Sequence, residues 1–175
     1  MSRQDFLKLY HDTAKKMIND QEVTSMAQLV DQSDYILKVK NTSKKKIAGN
    51  GIVNECEVLK TYKGKVKQTV NIYDMTYAID QTSVGYIEGS KPLVSLREYI
   101  VFLKKSKNAN VKNTYMFSSA HFGAFDVGDR NESINDYDND SLTLKQTYSY
   151  DYIGCDDQFV EKYQSLKKQL DYIDK

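Results

Sequence analysis

Apolar and polar positions divide the chain into helical ends and an alternating middle. Near the start, Phe6, Leu9, Tyr10, Met17 and Ile18 recur near helical spacing, with Lys8, Lys15 and Lys16 elsewhere. Ser2 followed by Asp5 resembles a weak capping box. A second, short helix is predicted from Ser25 to Gln32, capped by Thr24 or Ser25 and burying Met26, Leu29 and Val30. At the other end Phe159, Tyr163, Leu166, Leu170 and Ile173 form one apolar stripe behind Asp156 as N-cap. It is the strongest helix signal in the chain.

Between the helices the period falls to two. In "SDYILKVKNT", Tyr35, Leu37 and Val39 share one side while Lys38 and Lys40 take the other. "GIVNECEVLKTY" is a longer strand, with Ile52, Cys56 and Val58 on one face and Val53 and Leu59 on the other. The polar "NTSKKKIAGNG" between them reads as a loop with Gly49 and Asn50-Gly51 as turn chemistry. "TYKG" reads as the turn into a third strand, "QTVNIYDM", with Gly64 relieving the backbone. Residues 75–97 read as a long irregular connection. The unbroken apolar run Tyr99 to Leu103 suits a strand covered on both sides. "NTYMFSSAHFGAFDVGD" predicts a fifth strand, bent or broken near Gly123, and "SLTLKQTYSY" a last one.

These elements predict one domain over 1–175, mainly β with terminal helices. Residues 1–33 carry the first helices, 34–153 a small antiparallel five- or six-stranded OB-like barrel, and 156–174 the closing helix. No βαβ alternation appears, which argues against a parallel sheet. Composition agrees: 40% hydrophobic and 28% charged residues are enough for a core and argue against wholesale disorder. No stretch reaches the roughly 20 apolar residues that span a bilayer. The opening "MSRQDFLKLYHDTAKKM" lacks the apolar core of a signal peptide. A mature form with its leader removed and a cytosolic protein are both compatible with it.

Charge changes the picture more. From Lys38 to Lys112 there are 15 basic and 6 acidic residues, a net of +9, and the remainder carries −8. The basic middle is either solvated edge and loop, where lysines also block strand-to-strand aggregation, or a face for a polyanion or acidic partner. The candidate binding residues are Lys44, Lys45, Lys46, Tyr62, Lys63 and Lys65. Whether the two lysine groups act together is the question the pattern poses.

Three stretches carry a family resemblance: "LVDQSDYILKVK", "CEVLKTYKGKVKQTVNIY", and "EYIVFLKK" followed by "YMFSSAHFGAFDV". Together they resemble the netrin-like, or tissue-inhibitor-of-metalloproteinase-like, branch of the OB-fold, as in bacterial extracytoplasmic proteins of unassigned function. The resemblance covers roughly residues 26–128. It implies a non-enzymatic binding or interaction module, secreted or envelope-anchored, for instance as a lipoprotein. The family's inhibitors reach a catalytic zinc through an N-terminal cysteine within a dense disulfide framework. This chain begins Met1-Ser2 and has two Cys, so that mechanism is not expected. The partner implied is a protein or an anionic surface polymer. Single-stranded nucleic acid is the alternative, because lysines here are interleaved with Tyr35, Tyr62 and Tyr73.

Other chemistry has less support. Cys56 and Cys155 form either a disulfide tying the barrel to the last helix or two unrelated buried thiols. His11 and His121 lie in different elements, without zinc spacing. Asp136, Asp138 and Asp140 begin like a calcium loop, but Ser141 and Thr147 stand where Gly and the bidentate Glu are needed. Ser118, Ser119 and His121 read as a polar strand end; no nucleophile elbow and no Gly-rich phosphate loop is present. Neither an enzyme nor a cofactor or metal is expected.

Overall fold

A computed structural model describes residues 23–48, 51–78, 84–86, 93–106, 113–128, 133–135, 145, 148–154 and 157–174. The expected first helix, Asp156, Cys155 and the Asp136–Asp140 run lie outside the described residues. Helix α1 (Met26–Gln32) precedes strands β1 (Tyr35–Ala48), β2 (Gly51–Lys63), β3 (Thr69–Ala78) and β4 (Val84–Tyr86). Then come β5 (Glu98–Lys105), β6 (Thr114–Phe117), β7 (Ala124–Asp126), β8 (Ser133–Asn135) and β9 (Tyr152–Gly154). Helix α2 (Asp157–Lys168) and a 3-10 turn (Leu170–Tyr172) complete the described chain.

The sheet closes on itself because β1 pairs along both edges. One edge takes β2, from Ile36↔Lys63 to Ala48↔Gly51; the other takes β5, from Tyr35↔Leu103 to Lys40↔Glu98. The closed ring is β1-β2-β3-β6-β5, an OB-like barrel, with β4 paired outside it to β3. A ring of strands can be antiparallel throughout only if their number is even. Five strands force one parallel neighbour pair, and here it is β3–β6, with Asn71↔Thr114, Ile72↔Tyr115 and Tyr73↔Met116. The barrel is therefore mixed rather than wholly antiparallel. β6 and β7 lie in succession along one edge of β5, so the expected fifth strand exists and is broken by the turn Ser118–Gly123. At that break the Gly123 backbone abuts Phe117, and a Cβ there would sit 2.4 Å from Phe117 Cβ.

β5 shows why its run is continuously apolar. Tyr99, Val101 and Leu103 point into the barrel with Leu37, Val39, Cys56, Val70 and Ile72. Ile100 and Phe102 point out, into a second core with α1, α2 and Phe125. Alternate residues thus serve two cores, and the strand has no wet face. The outer core is held by aromatic stacking: Tyr163 of α2 lies 4.2 Å from Tyr152 and 4.9 Å from Phe125. Tyr163, Leu166 and Leu170 are buried, as the helical stripe predicts. At the base of α2, Lys167 pairs with the buried Asp151 at 2.8 Å.

Three expectations need correction. Residues 42–48 are not a loop: they continue β1 as one arm of a hairpin whose pairing needs no apolar alternation, through Lys45↔Asn54, Lys46↔Val53 and Ile47↔Ile52. A register shift between Asn41 and Lys45, with Ser43 at φ 73°, lets this arm bend away from β5. Residues 75–97 are partly ordered as strand, since β3 runs to Ala78 and β4 folds back on it. Of the expected last strand, the described residues 145 and 148–150 are not strand. Instead β8 and β9 pair in parallel beside α2.

Candidate binding surface

Two irregularities in β2 decide which side chains reach the outside of the hairpin. Lys38↔Lys60 is followed by Val39↔Val58, and Ile36↔Lys63 by Leu37↔Thr61. Each step leaves one extra residue on β2, Leu59 and Tyr62 respectively, and each bulge flips the facing of the residues after it. Val58 packs into the barrel and Leu59 is left exposed. Lys60 then stands on the outer face beside Lys38, while Tyr62 packs against the outer core.

Cross-strand like charges are unfavourable. Between Lys38 and Lys60 lies a counter-charge, Asp174, just beyond the 3-10 turn. Lys38 Nζ donates to Asp174 Oδ2 at 3.3 Å and Lys60 Nζ to Oδ1 at 3.4 Å. Lys60 Nζ also reaches the Asp174 main-chain carbonyl at 3.4 Å. The Tyr62 hydroxyl donates a short hydrogen bond to Oδ1. Lys60 Nζ sits 4.9 Å from the centroid of the Tyr62 ring, which helps fix its position. The tyrosine hydrogen bond and the two ammonium groups hold the Asp174 carboxyl below its usual pKa, against an opposing desolvation. Desolvation first, then the carboxylate, push the Tyr62 hydroxyl up from 10.0.

The residues expected to form one site are divided. Lys63 Nζ donates to Val30 O at 2.9 Å and also contacts Asp31 O at 3.5 Å, so it caps the C-terminal end of α1. Lys44, Lys45 and Lys46 are exposed at the far end of the same hairpin, with Lys44 3.4 Å from Glu55. Nine residues of β1 separate Lys45 from Ile36, the partner of Lys63, on the order of 25–30 Å of strand. The two lysine groups therefore do not converge. Lys65 is exposed just after Gly64. Tyr62 and Lys60 belong to the Asp174 cradle. Sequence places Lys38 and Lys60 only within the basic middle; their adjacency depends on a bulge that no period reveals.

Gly64 has φ +85°, and a Cβ there would meet Tyr35 Cδ1 at 2.4 Å and Asp34 O at 2.9 Å. The "TYKG" turn thus needs glycine twice over, for conformation and for space. The outer face of β2–β3, where OB-folds bind oligonucleotides, presents Glu55 and Glu57 beside Asn71 and Tyr73. Its charge is wrong for a phosphate backbone.

The remaining candidates have packing roles. Ser118 Oγ shares a 2.6 Å hydrogen bond with Ser33 Oγ, and Ser119 Oγ accepts from the Phe122 N–H at 3.1 Å. The His121 ring stacks on Phe159 at 4.3 Å. Cys56 is a free thiol fully buried in the barrel, and burial, helped by Asp74 and Glu55, pushes its pKa up to about 12. Such a thiol is a small hydrophobe at neutral pH. Around it runs a buried polar chain: Asn41 Nδ2 donates to Asn54 Oδ1 at 3.3 Å, and Asn54 Nδ2 to Asp74 Oδ2 at 2.8 Å. Among the described residues no three His, Cys, Asp or Glu side chains gather as a metal site needs, and no helix is long and apolar enough to cross a membrane. No protein-family model matches the chain, and no curated protein matches it in sequence.

Proposed function

We propose that this protein is a non-enzymatic binding module that engages an acidic partner, a protein or an anionic polymer, through the lysine-bearing outside of the β1–β2 hairpin. The observation that carries the reading is the hairpin's outer surface. Lys44, Lys45 and Lys46 are solvated at its tip, and Lys38 and Lys60 already hold a carboxylate further down. An extracytoplasmic setting is part of this reading and rests on the netrin-like resemblance. Single-stranded nucleic acid has less support, because the β2–β3 face carries Glu55 and Glu57.

Binding to poly-L-glutamate and to a single-stranded oligonucleotide, measured against salt, tests this. The expected result is salt-sensitive binding of poly-glutamate that weakens several-fold in the Lys44→Ala/Lys45→Ala/Lys46→Ala variant. Binding of the oligonucleotide alone would transfer the reading to nucleic acid. No binding of either at low salt would end it.

A further inference from the structure

The carboxylate held by Lys38, Lys60 and Tyr62 belongs to this chain, but the contacts have the form of ligand recognition. Each oxygen of Asp174 has its own donor: Oδ2 takes Lys38, and Oδ1 takes Lys60 and Tyr62. Lys60 bridges from Oδ1 to the main-chain carbonyl of the same residue. A free inorganic anion offers no such carbonyl, so the cradle reads an acidic residue within a peptide. Beside it, Ile173 and Leu170 pack onto the outer core as the apolar part of the same segment.

The segment is lightly held. It is one 3-10 turn after α2, Tyr172 on it is 81% exposed, and the Asp174 side chain keeps 32% of its surface in solvent. Lys60 remains 46% exposed, so a competing group can reach it. Exposed ion pairs of this kind are worth about 0–1 kcal/mol each, little enough to exchange.

We infer that the outer face of β1–β2 is a docking site for a partner peptide carrying an aliphatic residue followed by Asp or Glu. Ile173-Asp174 is its resident occupant, displaced when the partner binds. This rests on the reading of the hairpin as a surface for an acidic partner, and it names the part of that partner that is recognised. Lys38 and Lys60 bind the carboxylate, Tyr62 orients it, and Lys60 checks the backbone beside it.

The probe is a fluorescein-labelled peptide with the sequence of residues 169–175, QLDYIDK, alongside a control with Asn in place of its second Asp. The intact chain is expected to bind the probe weakly. The Asp174→Ala variant, whose cradle is vacated, is expected to bind it at least tenfold more tightly and to ignore the control. Adding Lys38→Ala and Lys60→Ala should abolish the gain. Equal affinity of Asp174→Ala and the parent chain would show that the cradle is a structural staple only.

A second measurement keeps Asp174 in place, in case its removal prevents folding. The chain has no Trp, so Tyr172→Trp supplies a single reporter on an exposed position. Saturating unlabelled peptide should lower its emission anisotropy as the segment is released. Unchanged anisotropy at millimolar peptide would overturn the proposal. The Lys44–Lys46 experiment involves residues that the segment does not touch, so its failure and this one are separable.

Discussion

Gly64 and Asp174 show how single residues set the geometry around them. Gly64→Ala would place a methyl group against the Tyr35 ring and the Asp34 carbonyl, at a φ that L-residues rarely adopt. The expected loss is about 1–3 kcal/mol in urea-induced unfolding, larger if the Tyr35–Tyr115 edge-on contact at 4.8 Å is displaced. Asp174 makes stability depend on pH. Its folded pKa is lowered from 3.8, so its contribution is present above pH 3.8 and is lost as pH falls through the lower folded value. Tyr62 has the opposite sign: its folded pKa is raised from 10.0, so its contribution is present below pH 10.0 and is lost as pH rises through the raised value. The stability difference between the parent chain and Asp174→Asn should therefore be flat through neutral pH and vanish in strong acid. A difference that persisted unchanged in strong acid would contradict the hydrogen-bonded arrangement.

Among the elements, α2 has the most to hold it and α1 the least. Tyr163 is sandwiched between Tyr152 and Phe125, and its hydroxyl donates to the Asp151 carbonyl at 3.3 Å. Truncating it to Ala should cost about 3–5 kcal/mol by thermal or denaturant unfolding, because the stack leaves a cavity that rigid rings cannot fill. A loss under about 1 kcal/mol, the size of an ordinary surface change, would mean that α2 is not integral to the outer core. The helix α1 depends on short polar links instead: Ser25 accepts from the Gln28 N–H, and Lys63 caps the far end. Both helices are legible from spacing, as is the two-sided β5, since burial leaves a periodic trace. The Thr42–Ala48 arm leaves no such trace. It is strand because its backbone pairs with β2, and its side chains, Lys44 to Lys46 among them, point to water.

For the whole molecule, the legible and the illegible divide along the same physical line. An OB-like barrel is readable from the order of short strands and the turn at Gly64. The parallel β3–β6 pair comes only from closure of an odd ring, which no local pattern contains. The cradle is less legible still, because Lys38, Lys60 and Tyr62 meet a residue 136, 114 and 112 positions away. Two bulges then decide that Lys60 and Tyr62 can reach it. Lysine clustering in sequence points to Lys63 and Lys65 with Lys44 to Lys46, whereas the fold brings together lysines that sequence keeps apart.

The Asp174 segment comes after α2 with only the 3-10 turn between them. A group tethered so closely acts on its site at an effective concentration on the order of millimolar or above. A single acidic peptide arriving from solution must exceed that concentration or carry better contacts. A partner that presents many aliphatic-acidic segments at once competes on equal terms, since its neighbouring segments also stay close to the site. The resident segment thus works as a threshold that favours multivalent partners over isolated ones.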